Sequence, residues 1–147
     1  MLRTETVSKE LLTILKRLNQ IDSLSGFALA RGTALALKYG HRVSVDIDLF
    51  GKGDIQNKVI PELNTKFGDD IEYEEVPGGW AVFAFIKGVK VDIIPYDHTL
   101  IYPIEEYEDI HFLSSQDICA MKIAAILGRG TKKDFWDLSQ LLNHYSV

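Results

Sequence analysis

FALARGTALALKYGHRVSVDIDLF, residues 27–50, contains in order a short apolar strand, a glycine turn, a helix and a second strand. The second strand, taken as Ser44 to Phe50, carries Asp46 and Asp48. Residues two apart on a strand share a face, so both carboxylates project together. Val45, Ile47 and Leu49 then face the other way, into the core. Two like charges side by side on a half-buried strand repel each other and resist leaving water. A divalent cation relieves both penalties. Hard cations such as Mg²⁺ take oxygen ligands, usually one or two carboxylates plus substrate phosphates. The acid pair therefore points to metal-dependent phosphate chemistry.

Just upstream, Arg31-Gly32-Thr33 lies where the strand at 27–30 gives way to a helix. Ala34, Leu35, Ala36 and Leu37 favour that helix, and Gly40 ends it. A strand-to-helix turn offers unpaired backbone N–H groups and the positive end of the helix dipole, a cradle for phosphate. Gly32 allows close backbone approach. The Thr33 hydroxyl is placed to cap the helix or to donate to a phosphate. A plain capped helix start looks the same in isolation, and the nearby acid pair is what gives this one weight.

Outward from this stretch, residues 8–19 read as an amphipathic helix capped by Ser8, with Leu11, Leu15 and Leu18 on one face. Asp54 caps a helix running to about Phe67, whose buried edge is Ile55, Val59, Leu63 and Phe67. Pro61 should kink or split it, because proline gives no N–H to the helix ladder. Strands follow at 71–76, 80–86 and 89–96, the last two joined through Lys87-Gly88 as a hairpin. The third of them sets Asp92 among apolar residues, a costly place for an unpaired charge. Residues 95–113, with acids at Glu105, Glu106, Glu108 and Asp109, read as an irregular, solvated connection. Tyr96, Tyr102 and Tyr107 pack it down. Ser114-x-x-Asp117 opens a helix through Ile126 or Leu127, and Thr131-x-x-Asp134 opens a last one with an apolar stripe at Phe135, Leu138, Leu141, Leu142 and Tyr145. Cys119 reads as a small buried hydrophobe.

At 147 residues and 46% hydrophobic content, one domain with a proper core is expected, about 1–100 as an α/β core and 114–147 as helices packed on it. The formal charge of −5 leaves no global basic footprint, which weighs against nonspecific coating of nucleic acid. One cysteine cannot form an intrachain disulfide, and no apolar run approaches a membrane span. Scattered charges near the N-terminus argue against a signal peptide, so a cytoplasmic setting is expected. His41, His98, His111 and His144 are too scattered to suggest zinc, and there is no Walker-type loop or G-x-G-x-x-G.

Three segments, RGTALALKYGHRVSVDIDLF, GVKVDIIPY and SSQDICAMKIAAILGRGTKKDFWDL, together resemble the DNA polymerase beta-type nucleotidyltransferases, and among them the AbiEii toxin-like family. The resemblance covers roughly residues 26–142. It implies an α/β (α+β) nucleotidyltransferase fold: a small mixed sheet with flanking helices and a C-terminal helical segment. It implies that Asp46, Asp48 and Asp92 are catalytic and hold Mg²⁺ or Mn²⁺. Gly32, Thr33, Arg42, Ser44, Lys122 and Arg129 would bind the phosphates of an NTP. Asp117, Lys122, Arg129, Lys133, Asp134 and Asp137 match the family's D-x-x-x-x-K…R…K-D-x-x-D pattern, in which the acids orient the basic groups. The implied reaction moves NMP from an NTP to a tRNA or protein hydroxyl, in a toxin–antitoxin or phage-defence setting with a cognate antitoxin. A small-molecule (antibiotic) acceptor and a catalytically inactive binding module are the two alternatives. The chain departs from the family at Arg31, where glycine is usual. A side chain there either obstructs the phosphate or supplies a cation in place of lost contacts.

Overall fold

The glycine turn and the acid strand of residues 27–50 form the middle of a seven-stranded sheet. The computed structural model describes residues 2–96, 99–128 and 137, with the side chains of 124–128 outside the description. The strands are β1 (Phe27–Leu29), β2 (Asp46–Gly51), β3 (Ile71–Tyr73), β4 (Val82–Ile86), β5 (Val89–Pro95), β6 (Glu105–Tyr107) and β7 (Ile110–Phe112). Their spatial order is β3-β4-β5-β2-β1-β7-β6. The sheet is mixed: β2 runs parallel to β5 and β1 to β7, and the other neighbours are antiparallel. Four α-helices flank it: α1 (Lys9–Asn19), α2 (Arg31–Tyr39), α3 (Ile60–Phe67) and α4 (Ser115–Gly128).

The helix boundaries follow local chemistry. Ser8 caps α1, its hydroxyl accepting the Leu11 N–H at 3.0 Å. Leu11, Ile14, Leu15 and Leu18 are buried by α1 packing on β2 and β7, each contributing about 2 kcal/mol. Gly40 ends α2 in the left-handed conformation at φ +67. Asp54 accepts the Asn57 N–H and opens one wide π turn over Ile55–Val59, and α3 begins at Ile60 with Pro61 in its first turn. The expected kink at Pro61 is thus a change of helix type, which leaves the proline where its missing N–H costs nothing. Ser114 caps α4: its Oγ accepts the Asp117 N–H at 3.1 Å and donates to Asp117 Oδ2 at 2.6 Å. Asp117 also accepts the backbone N–H groups of Ile101 and Tyr102, so the cap holds down the preceding loop.

Four expectations need correction. Val45 does not face the core; it is 60% exposed, because β2 starts one residue later, at Asp46. The strand expected at 71–76 stops at Tyr73. Residues 95–113 are not wholly irregular: β6 and β7 form a hairpin across Glu108–Asp109, both with positive φ, and β7 extends the sheet beside β1. Its acids are solvated as expected, but Ile110 and Phe112 alternate inward and are fully buried. The Lys87–Gly88 turn, with φ +48 and +80, is the tight primed turn a hairpin favours. Cys119 is half-buried against the core rather than within it. The last helix expected after Thr131 lies outside the described residues, apart from Asp137. Among the described residues no helix is long and apolar enough to cross a membrane.

Candidate active site

Alternation along β2 buries Ile47 and Leu49 on one face and leaves Asp46 and Asp48 half-exposed on the other. β5 lies parallel to β2 with Asp48 opposite Asp92, so the third acid joins the same face. Burial is the largest influence on Asp48 and pushes its pKa up to about 6; Asp92 and Asp46 add to the rise, while Arg31 and Lys122 oppose it. Asp92 is raised too, first by burial, with Lys90 and Arg31 opposing. Its Oδ2 lies 3.9 Å from Lys90 Nζ, and its buried Oδ1 has no hydrogen-bond partner among the described residues.

This donor set suits a hard divalent cation: three carboxylates on one face, one of them with an unanswered buried oxygen. Among the described residues no three acids, histidines or cysteines are gathered to metal-ligand spacing as they stand. Burial raises the pKa of Asp48 and Asp92 first, and repulsion from the neighbouring acids adds to it.

The strand-to-helix turn abuts the acids. The Ala30 N–H donates to the Asp48 carbonyl, and α2 starts at Arg31 without a capping side chain from Ala30. Arg31 has φ +60, a conformation that glycine adopts freely and an arginine seldom does. Its guanidinium lies over the Phe50 ring, 5.1 Å from the centroid, and its charge acts on both Asp48 and Asp92. Arg31 therefore lies beside the acids as a cation.

Thr33 and Ser44 are buried and tied to each other, Oγ1 to Oγ at 2.5 Å, and Thr33 also donates to the Asp46 carbonyl. Their hydroxyls couple the start of α2 to the start of β2. Both belong to the expected phosphate-binding set, and both hydroxyls are engaged inside the protein.

Behind the turn sits a cluster that residue spacing did not announce. Asp137 is fully buried and accepts from three basic side chains: Arg42 Nε at 2.9 Å and Nη2 at 3.2 Å, Lys122 Nζ at 2.9 Å, and His41 Nε2 at 2.5 Å. Burial alone would raise the Asp137 pKa; the hydrogen bonds from His41, Arg42 and Lys122 outweigh it and hold the carboxyl well below the usual range. Arg42 and Lys122 are thus brought together at the N-terminal end of α2, while Arg129 lies outside the described residues. The sequence offers a single signal for His41, its adjacency to Arg42 in a basic loop. Two of the cations expected to bind phosphate, Arg42 and Lys122, thus converge on a buried acid, while the acids expected to hold metal share one face of β2 and β5.

Gly32 is where the cluster meets the helix. A Cβ there would lie 1.8 Å from Arg42 Nη2 and 3.3 Å from Asp137 Oδ2. Gly32→Ala should therefore push the guanidinium off Asp137 and cost about 1–3 kcal/mol. A urea denaturation midpoint read against wild type checks this, and an unchanged midpoint would show the guanidinium to be freely movable.

Comparison with known proteins bears on the same architecture. The model of the family described as nucleotidyl transferase AbiEii toxin, type IV toxin–antitoxin system, matches residues 13–147. An uncharacterized protein, aq_aa25 of Aquifex aeolicus, is 30% identical over 145 residues, covering 95% of this chain and 68% of that protein. Among solved structures, JHP933 from Helicobacter pylori is 22% identical with a TM-score of 0.63, covering 95% of this chain and 68% of its own. ANT(2″)-Ia, solved in complex with adenylyl-2″-tobramycin, is 17% identical with a TM-score of 0.63, covering 93% of this chain and 90% of its own. These likenesses show a shared fold.

Proposed function

The chain belongs to the AbiEii nucleotidyl transferase family, and on that premise we propose that it transfers NMP from an NTP to a tRNA or protein hydroxyl, with Mg²⁺ or Mn²⁺ held by Asp46, Asp48 and Asp92. The fold is that of nucleotidyltransferases, and the family description carries a type IV toxin–antitoxin context. A toxin role, countered by a cognate antitoxin, is part of the proposal. The observation that carries it is the register of β2 and β5, which sets Asp48 opposite Asp92 on the face where Asp46 also projects, beside the uncapped start of α2.

In this reading the chain works mainly by position and charge. The first N–H groups of α2 face the triphosphate, with Gly32 keeping the backbone approachable. Arg42 and Lys122, fixed on Asp137, supply positive charge at the same end. Asp48, raised by burial and by Asp92 and Asp46, is the acid whose charge a bound divalent cation would relieve most. A bound divalent cation would add charge neutralisation on the triphosphate and a more acidic acceptor hydroxyl. Arg31, beside Asp48 and Asp92, contributes part of the positive charge there.

Calorimetric titration of each NTP, with and without Mg²⁺, tests this against an Asp46→Asn/Asp48→Asn double variant. Magnesium-dependent binding lost in the variant is the expected result. Binding of no NTP to wild type would favour the inactive-module alternative, with Arg31 closing the cradle. An acceptor screen with the NTP so identified then separates an RNA or protein acceptor from a small molecule. A cationic small molecule is the variant of the reading that the net charge of −5 favours.

A further inference from the structure

On the acid face, beyond Asp48, β2 continues to Phe50 and then opens into a cavity of about 400 Å³. Phe50, Tyr96, Leu100, Ile104 and Leu113 form its walls, and Lys52 stands at its edge. The Phe50 and Tyr96 rings are 6.0 Å apart and tilted by 38°. Phe50 follows Asp48 by two residues on the same face, about 7 Å along the strand. The Arg31 guanidinium lies over the outer side of this wall, 5.1 Å from the Phe50 centroid.

We propose that this cavity is a nucleobase subsite, with Arg31 answering the phosphate of the same nucleotide. The inference rests on the transfer reading above and adds where the base sits. The volume falls within the usual range for small-ligand pockets, whose walls are mostly apolar and aromatic with a few polar groups at the rim. Aromatic walls take the π-face of a base, and the two cations suit the phosphate attached to it. The base would enter on the side of Asp48 away from the α2 start, so the nucleotide's phosphate reaches toward the acids while its ring stays dry. The positive φ at Arg31 is explained in the same terms: that backbone turn carries the side chain over Phe50 instead of away from it.

The base could belong to the incoming NTP or to the terminal nucleotide of an RNA acceptor, and the test separates these sources. Two variants fill the cavity, Ile104→Trp and Leu100→Phe, and a thermal melt of each against wild type checks that it folds. Calorimetry measures tripolyphosphate with Mg²⁺, the four NTPs with Mg²⁺, the four nucleosides, and a short single-stranded RNA with a free 3′-hydroxyl. If the NTP's base occupies the cavity, the filling variants lose about tenfold or more in NTP affinity and keep wild-type affinity for tripolyphosphate. If the acceptor's base occupies it, the same loss falls on the RNA and NTP affinity holds. NTP and RNA affinities both within twofold of wild type in both filling variants overturn the proposal, and tripolyphosphate binding then leaves the transfer reading standing. Nucleosides that bind and are expelled by Ile104→Trp, with tripolyphosphate ignored, keep the subsite and sink the transfer reading. Wild-type protein that binds none of the four probes sinks both.

Discussion

Asp48→Asn should lose about a thousandfold or more in nucleotidyl transfer and yet melt at a higher temperature than wild type when metal is absent. The sign follows from the acid's environment. Burial lifts the Asp48 pKa from its ordinary 3.8 to about 6, so the folded chain holds a proton more tightly than the unfolded chain does. The folded state is favoured while that proton is bound, and stability falls as pH rises from about 4 to about 6. At neutral pH the ionised carboxylate costs the metal-free fold about 3 kcal/mol. Asparagine has no charge to bury. In EDTA at pH 7.5 the variant should melt about 5–10 °C higher, and its stability should fall less steeply than wild type between pH 4 and 6, Asp92 supplying what slope remains. Adding Mg²⁺ should reverse the order, because only the wild-type acids gain from binding it. A variant that melts lower than wild type in EDTA would mean that Asp48 is held by a structural partner, and the metal assignment would lose its main physical support.

Asp137→Ala carries the second large effect. It removes a fully buried carboxylate that accepts from Arg42, Lys122 and His41. Breaking a buried ion pair from one side strands the other charge, at a cost of about 3–5 kcal/mol. Here two cations lose the same carboxylate at once. Urea denaturation should show the loss, and nucleotide binding should fall with it, because Arg42 and Lys122 no longer hold their places. Adding Lys122→Met to Asp137→Ala should recover part of the stability and none of the binding, a split that simple loss of packing does not give. The depressed Asp137 pKa means that its contribution is full above the ordinary carboxylate range and is lost as pH falls through the lowered value. Acid unfolding of wild type should therefore come late, and that of the variant early.

The two halves of the site differ in how far the sequence disclosed them. Asp46, Asp48 and Asp92 were legible because strand alternation is local: a period of two, read from flanking Ile47, Leu49, Val91 and Ile93, assigns each acid to a face. The parallel pairing that sets Asp48 opposite Asp92 was not, since register between distant strands leaves no mark within either one. The α2 start was legible through Gly32 and the helix formers after it. The engagement of Thr33 with Ser44 was hidden, because a hydroxyl's partner depends on what tertiary structure brings near. The β6–β7 hairpin was missed because its strands are three residues long and its turn is made of Glu108 and Asp109, where glycine or asparagine is the usual signal. The resemblance named Asp137 as one acid among several. Only the fold shows that it collects three basic groups from two distant parts of the chain.

That collecting role has a kinetic corollary. His41 and Asp137 are 96 residues apart, so closing the contact between them costs about 4 kcal/mol of loop entropy before it returns any energy. The hairpins and the α1–β2 packing close far shorter loops and form first. A chain leaving the ribosome therefore closes its acid face while Arg42 and Lys122 still lack the Asp137 carboxylate. On the proposed reading, phosphate affinity would arrive last, and a chain interrupted before residue 137 should bind tripolyphosphate more weakly than the full chain.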